Sequence, residues 1–288
     1  MVFAHAVAGS EVWRFHPHPD VWVVLGGVVG LYFLALRRYR FDPSTGATRA
    51  VTPAQMAAFL IGMAVLWLGA DWPVHDVSEN YLFSVHMVQH TLFSLVAPPL
   101  LLLGMPAWLL RDVLRPMLRV VRFATRPVIA FVIFNSVIVV THWPTMVNAS
   151  VRSEPLHLAL HLVLVGSALL MWWPVMDPLP ELRRLQPPGK MVYLFLQSIL
   201  PTVPASFLTF ANTPIYAAYA DAPRLWGISA VTDQMVAGLI MKIVGGLLLW
   251  LAIAIVFFKW HAAEQNPAPQ AMQWDDFERE LEVWDLRR

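Results

Sequence analysis

Residues 81–106, YLFSVHMVQHTLFSLVAPPLLLLGMP, are long and apolar enough to cross a bilayer, yet the first half carries His86, Met87 and His90. A span needs about 20 mostly apolar residues. An ionisable side chain inside one is costly and by default marks a functional site. At ~100° per residue the two histidines lie ~40° apart on a helix face, with Met87 ~60° beyond His90. Imidazole and thioether donors grouped in this way suit a soft or borderline metal ion such as copper. The rest of the chain either supplies partners for this face or holds it in place.

A sequence that is 58% hydrophobic and 14% charged, with mean hydropathy +0.57, has the composition of a membrane protein. Its net charge of +1 gives no electrostatic basis for binding nucleic acid. It contains no cysteine, which excludes disulfides, iron–sulfur clusters and thiolate zinc sites. A metal must then be held by His, Met, carboxylate or backbone. Thirteen Met and thirteen Trp read mostly as packing and interfacial belts. The stretch MVFAHAVAGSEVWRF lacks a charged n-region and a proper h-region, so no cleavable signal is expected. Ordinary catalysis is not expected either, since there is no Ser/His/Asp order, no phosphate loop and no compelling carboxylate pair. A zinc protease needs a Glu directly after the first His of His-x-x-x-His, and here Met87 and Leu158 stand there.

The apolar runs predict an all-α, polytopic bundle of seven transmembrane helices, at about 21–36, 54–71, 81–103, 127–143, 155–173, 190–210 and 233–258. Residues 20–260 form this domain, 1–19 a polar lead, and 261–288 a tail read as a short surface helix or disordered. Arg37, Arg38, Arg40, Arg49, the arginines of 104–126, Arg183, Arg184, Lys190 and the basic residues of the tail fall on one side. Arg14, Arg152 and Arg224 fall on the other. By the positive-inside rule the N-terminus is extracytoplasmic and the C-terminus cytoplasmic, in a multi-pass plasma (inner) membrane protein. Between spans three and four, Arg111, Arg115, Arg119, Arg122 and Arg126 alternate with Leu109, Leu110, Val113, Leu114, Met117, Leu118 and Val121. That pattern predicts an amphipathic helix on anionic membrane lipid. Residues 72–80 read as a loop with His75, Asp76 and Glu79. Pro201 and Pro204 predict a kink in span six. His16-Pro17-His18-Pro19 resembles a weak metal tract, of a kind that often does nothing.

With this orientation His86, His90, His142, His157 and His161 all fall in the outer half of the membrane. His157 and His161 repeat the four-residue spacing on span five, and His142 ends span four. The candidate metal set is therefore His86, His90, His157, His161 and His142, with Met87 as a soft ligand. Met235, Met241, Asp233, His75 and Lys242 are accessory candidates. A methionine in an apolar span more often packs than ligates, and Lys242 is read either as pairing with a carboxylate such as Asp71 or as facing a wet cavity. The competing reading for the histidines is interhelical hydrogen bonding that glues the bundle, as expected of Asn135 and Ser136.

Taken together, His86-Met87-Val88-Gln89-His90, then Ala97-Pro98-Pro99 through Gly104-Met105-Pro106, resemble the signature of the CtaG family of cytochrome c oxidase assembly factors. His142-Trp143-Pro144, His157 and His161 leading to Trp172-Trp173-Pro174-Val175, and Asp233-Gln234, Gly238 and Met241 continue the likeness over roughly residues 20–260. The resemblance implies a seven-span bundle that helps build a haem–copper oxidase. Its partner would be oxidase subunit I or II, and its cargo copper, as Cu(I), delivered or placed from the outer leaflet. Self-association into a homo-oligomer is compatible with this. Proton competition for imidazole should weaken copper binding below about pH 6.5. Three alternatives stay open at this point. They are a b-type haem protein using the paired histidines, a copper or proton transporter, and an assembly scaffold that binds no metal.

Overall fold

The computed structural model describes residues 13–42, 45–182 and 185–265. His5 and the tail beyond Gln265 lie outside the described residues, as does the expectation of a tail helix or disorder. Among the described residues the fold is helical, with no β-strand and one isolated bridge between Phe41 and Thr48. Six helices are long and apolar enough to cross a membrane, and a bent pair makes a seventh if it is counted as one span.

Helix α1 is Pro19–Arg38 and α2 is Pro53–Ala70. Proline is tolerated in a first turn, where its missing N–H would be unpaired anyway. Helix α2 also has a capping box, with Gln55 N–H on Thr52 Oγ1 at 3.2 Å and Thr52 N–H on Gln55 Oε1 at 3.1 Å. The expected loop at 72–80 instead contains helix α3, Val74–Asn80. Two turns of helix put His75 and Glu79 on one side, which an extended loop would not.

Span three is not one continuous α-helix. It runs as α4, Phe83–Thr91, then a π-helical turn, Leu92–Val96, then α5, Ala97–Gly104. The reason is Pro98, which has no N–H for the carbonyl four residues back and whose ring crowds that carbonyl. The carbonyl is Ser94 O, and the wide turn frees it to accept the Trp172 indole N–H at 2.9 Å. Gly104 is required by close approach, because a Cβ there would stand 2.5 Å from the Phe59 nitrogen on α2. Tyr32 donates to Gly104 O at 3.0 Å and stacks on Phe59 with ring centroids 3.7 Å apart, joining α1, α2 and α5.

The predicted surface helix is two, α6 (Ala107–Leu114) and α7 (Leu118–Ala124). They meet α8, Pro127–Thr141, at 85°. All five arginines of this segment are exposed while Leu109 and Leu110 are buried, as an amphipathic element requires. Arg111 pairs with Glu181 at 2.8 Å and holds that carboxyl below its ordinary range. At 1.5 Å per residue, the 15 residues of α8 reach only ~22 Å. The helix predicted over 127–143 is thus shorter than expected, and His142 closes it as the C-cap.

The chain continues through α9 (Pro144–Ser150) and α10 (Glu154–Met176). Span six breaks into α11 (Pro187–Ile199) and α12 (Thr202–Phe210). There Thr202 Oγ1 donates to Ser198 O at 3.0 Å and the Val203 N–H to Leu200 O at 3.1 Å. A hydroxyl and a tightened turn so occupy backbone carbonyls around Pro201 and Pro204. Asn135 crosses from α8 to Gln197 Oε1 on α11 at 2.8 Å, an interhelical bond as expected. After the short α13 (Ala217–Ala220), span seven comprises α14 (Ala230–Leu239), a second π-helical turn (Ile240–Val244) and α15 (Gly245–Gln265). A Cβ at Gly238 would sit 2.4 Å from Thr209 Oγ1, so this glycine lets α14 lie directly on α12.

Candidate metal centre

The starts of α1, α4 and α10, the end of α8 and the short helix α3 meet at one end of the bundle. Each brings histidine there, so rings far apart in sequence touch. His18 lies against His75 with centroids 4.7 Å apart, His75 against His157 at 5.7 Å, and His157 against His161 at 4.1 Å. His86 lies 5.8 Å from His157, His90 4.3 Å from His86 and 5.4 Å from His161, and His142 5.6 Å from His90. The imidazoles form a ladder from the half-exposed end into the packed interior.

The inner rungs are His86, His90 and His161. One ring nitrogen from each lies within 4.8 Å of the others. His86 is 6% exposed and His161 9%. His86 Nδ1, His90 Nδ1 and His161 Nε2 are buried and have no hydrogen-bond partner among the described residues. A buried polar atom left unpaired costs about 1–3 kcal/mol, so three in one place is not the pattern of hydrogen-bonded glue. His142 extends the group. Its Nδ1 lies 2.8 Å from Ile138 O and 3.2 Å from Thr141 Oγ1. The carbonyl can only accept, which assigns the ring proton to Nδ1. The other nitrogen, Nε2, is left as a buried lone pair without a partner. Orienting one imidazole nitrogen through a backbone carbonyl is how metal-ligating histidines are commonly held.

The outer rungs are chemically different. His75, Glu79 and His157 also offer three donor atoms within 4.8 Å. His157 Nε2 contacts Glu79 Oε1 directly, and His75 Nε2 lies 3.4 Å from that oxygen. Gln89, fully buried, fixes the rest. Its Nε2 donates to Gly69 O at 2.8 Å, so the amide nitrogen rather than the oxygen faces that carbonyl, and its second hydrogen meets His75 Nδ1 at 3.3 Å. His75 Nδ1 is then an acceptor, and its proton sits on Nε2, which faces Glu79 Oε1. This triad carries its own counter-charge, with one carboxylate oxygen facing two imidazole nitrogens. Farther out, Asp76 faces His16 at 3.4 Å and His18 at 3.2 Å, so the HPHP tract docks onto the bundle through an acid.

The remaining candidates disperse. Met87 is 2% exposed and packs among Phe83, Leu208 and Tyr216. It also lines a small cavity of about 50 Å³ together with His90, His142, Met171 and Met241. Met235 is 39% exposed on the outside of the bundle. Asp233 accepts the Phe83 and Ser84 N–H groups at 2.7 and 3.0 Å. It caps α4 from the neighbouring span, where a helix start has unpaired donors and favours negative charge. Lys242 is exposed and does not meet Asp71. That carboxylate takes the Trp22 and Trp67 indole N–H groups at 2.6 and 2.8 Å instead.

Sequence reasoning grouped His157 with His161 by spacing, but tertiary structure turns His157 Nε2 to Glu79. It passed over Glu79 and Gln89, although His75-x-x-x-Glu79 is a one-turn pair that would have signalled the first. Met171 was missed too. Fourteen residues after His157, it returns to within ~40° of that residue's azimuth. Two tyrosines on or beside α13 buttress the site. Tyr216 donates to His142 O and Tyr219 to Ser78 O, each at 2.9 Å. Burial raises both phenols above their ordinary value, which keeps them donors. A larger cavity of about 870 Å³ runs from His18, Glu79 and His157 along α1, α2 and α10 to Met105, lined mostly by apolar side chains.

A family model described as cytochrome c oxidase caa3 assembly factor matches residues 30–263. Uncharacterized proteins of Mycobacterium bovis and Mycobacterium tuberculosis are each 27% identical to it over 291 positions, covering 89% of this chain. The chain spans 40% of the length of these curated relatives. No solved structure matches it.

Proposed function

The chain belongs to the cytochrome c oxidase caa3 assembly factor family, and from that premise we propose that it holds Cu(I) at His86, His90 and His161 and passes it to subunit I or II of a haem–copper oxidase. The observation that carries this reading is the set of buried imidazole nitrogens without partners. A soft monovalent ion prefers nitrogen and sulfur donors to carboxylate. The inner rungs offer imidazole, and Met87, Met171 and Met241 lie beyond them. The arginines exposed at the opposite end of the bundle orient it by the positive-inside rule, with the histidine end extracytoplasmic, the N-terminus outside and the C-terminus in the cytoplasm. The bent pair is then the fourth of seven spans of a plasma-membrane protein, with α6 and α7 lying on anionic lipid. The break at Pro201 borders the small cavity, so flexing of span six is the natural way to uncover it. Rings packed 4.3 to 6.0 Å apart among His86, His90 and His161 leave no flat slot for a haem between them.

The test is to load the purified protein anaerobically with Cu(I) and compare it with an H86A/H90A/H161A variant. Stoichiometric copper in the wild type, lost in the variant together with oxidase copper in cells, is the expected result. Absence of copper from a folded wild type would leave a metal-free scaffold, and a Soret band with a sharp reduced α-band would make it a haem protein.

A further inference from the structure

Below the inner rungs the small cavity of about 50 Å³ is lined by His90, His142, Met87, Met171 and Met241. This volume holds one or two small particles. Two imidazoles and three thioethers, drawn from α4, α8, α10 and the π-helical turn of span seven, share its lining with apolar residues such as Phe134, Ile138 and Leu249. His142 is 7% exposed, Met87 2% and Met171 fully buried. The proton of His142 is committed to Ile138 O at 2.8 Å, so its unpartnered Nε2 is a ready lone pair at this cavity. His90 touches both groups, with its ring 5.4 Å from His161 on one side and 5.6 Å from His142 on the other. Met87, the soft-ligand candidate of the sequence, is held beside His90 by the same helix turn.

We propose that this cavity is a second, sulfur-containing position for the same soft ion, with His90 shared between an imidazole-only position and a deeper position made by His90, His142 and one or more of Met87, Met171 and Met241. The inference rests on the copper reading above and extends it. One ion at a time occupies the pair, because both positions need His90. Moving deeper exchanges His86 and His161 for His142 and thioether, with no change in oxidation state and no proton transferred. The thioethers make the deeper position selective. Sulfur donors favour Cu(I) and its relatives, whereas zinc prefers nitrogen, thiolate and carboxylate. The exchange also carries the ion toward the Pro201 break, since Gln197, Ser198 and Pro201 line the same cavity.

The experiment is copper K-edge absorption on the Cu(I)-loaded full chain, with Ag(I) as a redox-inert second probe. Wild type is expected to show mixed nitrogen and sulfur scattering. An M87L/M171L/M241L variant keeps side-chain volume, so it should fold, as a methionine-to-leucine exchange costs under about 1.5 kcal/mol per site. It should retain copper with nitrogen scattering only and lose at least the ~10-fold in Ag(I) affinity that partners outside a ligand set already produce. An H86A/H161A variant should still take up Ag(I), and that uptake should vanish when His142→Phe is added. Nitrogen-only scattering in wild type, or unchanged Ag(I) affinity in the methionine variant, overturns the second position and leaves the first standing. No copper or silver bound to folded wild type overturns both.

Discussion

Two groups of imidazoles lie side by side at one end of this bundle, and they have been finished differently. In the outer group, His75 and His157 meet Glu79, Gln89 sets the tautomer of His75, and Asp76 receives His16 and His18. In the inner group, nitrogens of His86, His90, His161 and His142 are buried without partners, and no carboxylate joins them among the described residues. Donor atoms lie within 4.8 Å of one another both in the triad His86, His90 and His161 and in the triad His75, Glu79 and His157. What separates them is the carboxylate. In the outer group Glu79 Oε1 faces two imidazole nitrogens, whereas the inner imidazoles face one another. A cation in the inner group keeps its positive charge, whereas Glu79 would neutralise one in the outer group. An ion held by a neutral ligand set in a membrane keeps an uncompensated charge, which is costly and favours the weak retention that the proposed delivery requires.

The sharpest way to break this contrast is His90→Ala, since His90 belongs to both inner positions. Cu(I) affinity, measured by competition with a chelator, should fall by more than the ~100-fold that outer partners reach. An unchanged affinity would move the copper to the outer group. His142→Phe comes next, with a loss of about 10- to 100-fold if Nε2 contacts or orients the ion. In the opposite direction, Glu79→Gln should change Cu(I) affinity by less than the ~10-fold at which partners of ligands begin to count. A loss as large as that from His90→Ala would show that the acid-bearing triad is the ligand set. The smallest effect on either group is expected from Asp71→Asn. It weakens two indole hydrogen bonds to a charged acceptor, worth roughly 1.5–3 kcal/mol each at most. It should lower the thermal unfolding temperature in detergent while leaving copper binding intact.

The helices were legible because membrane-spanning runs and positive-inside charge are local, additive signals. That His86, His90, His157 and His161 gather at one end of the bundle followed from helix order alone. What the sequence could not show was azimuth. His157 and His161 share a face by spacing, yet α3 reaches across to take one and leave the other. Asp233 looks like a metal acid until Phe83 and Ser84 are seen to need a cap. Lys242 and Asp71 look like a relay until Trp22 and Trp67 close on the carboxylate. In each case the deciding partner comes from a different helix, and no periodicity within one helix encodes it.

The π-helical turn before Pro98 has one more consequence. An inserted residue advances the screw of a helix by ~100°. Span three therefore consists of two faces with different phases, joined at residues 92–96. The upper phase points His86 and His90 at their ring partners. The lower one lays Gly104 against Phe59. Neither can be optimised at the expense of the other while the turn remains. Deleting a single residue there would bring the two halves into step, swing the histidines about a quarter-turn off their partners, and leave every side chain in the span chemically unchanged. The site is thus set by a count of residues as much as by their kinds.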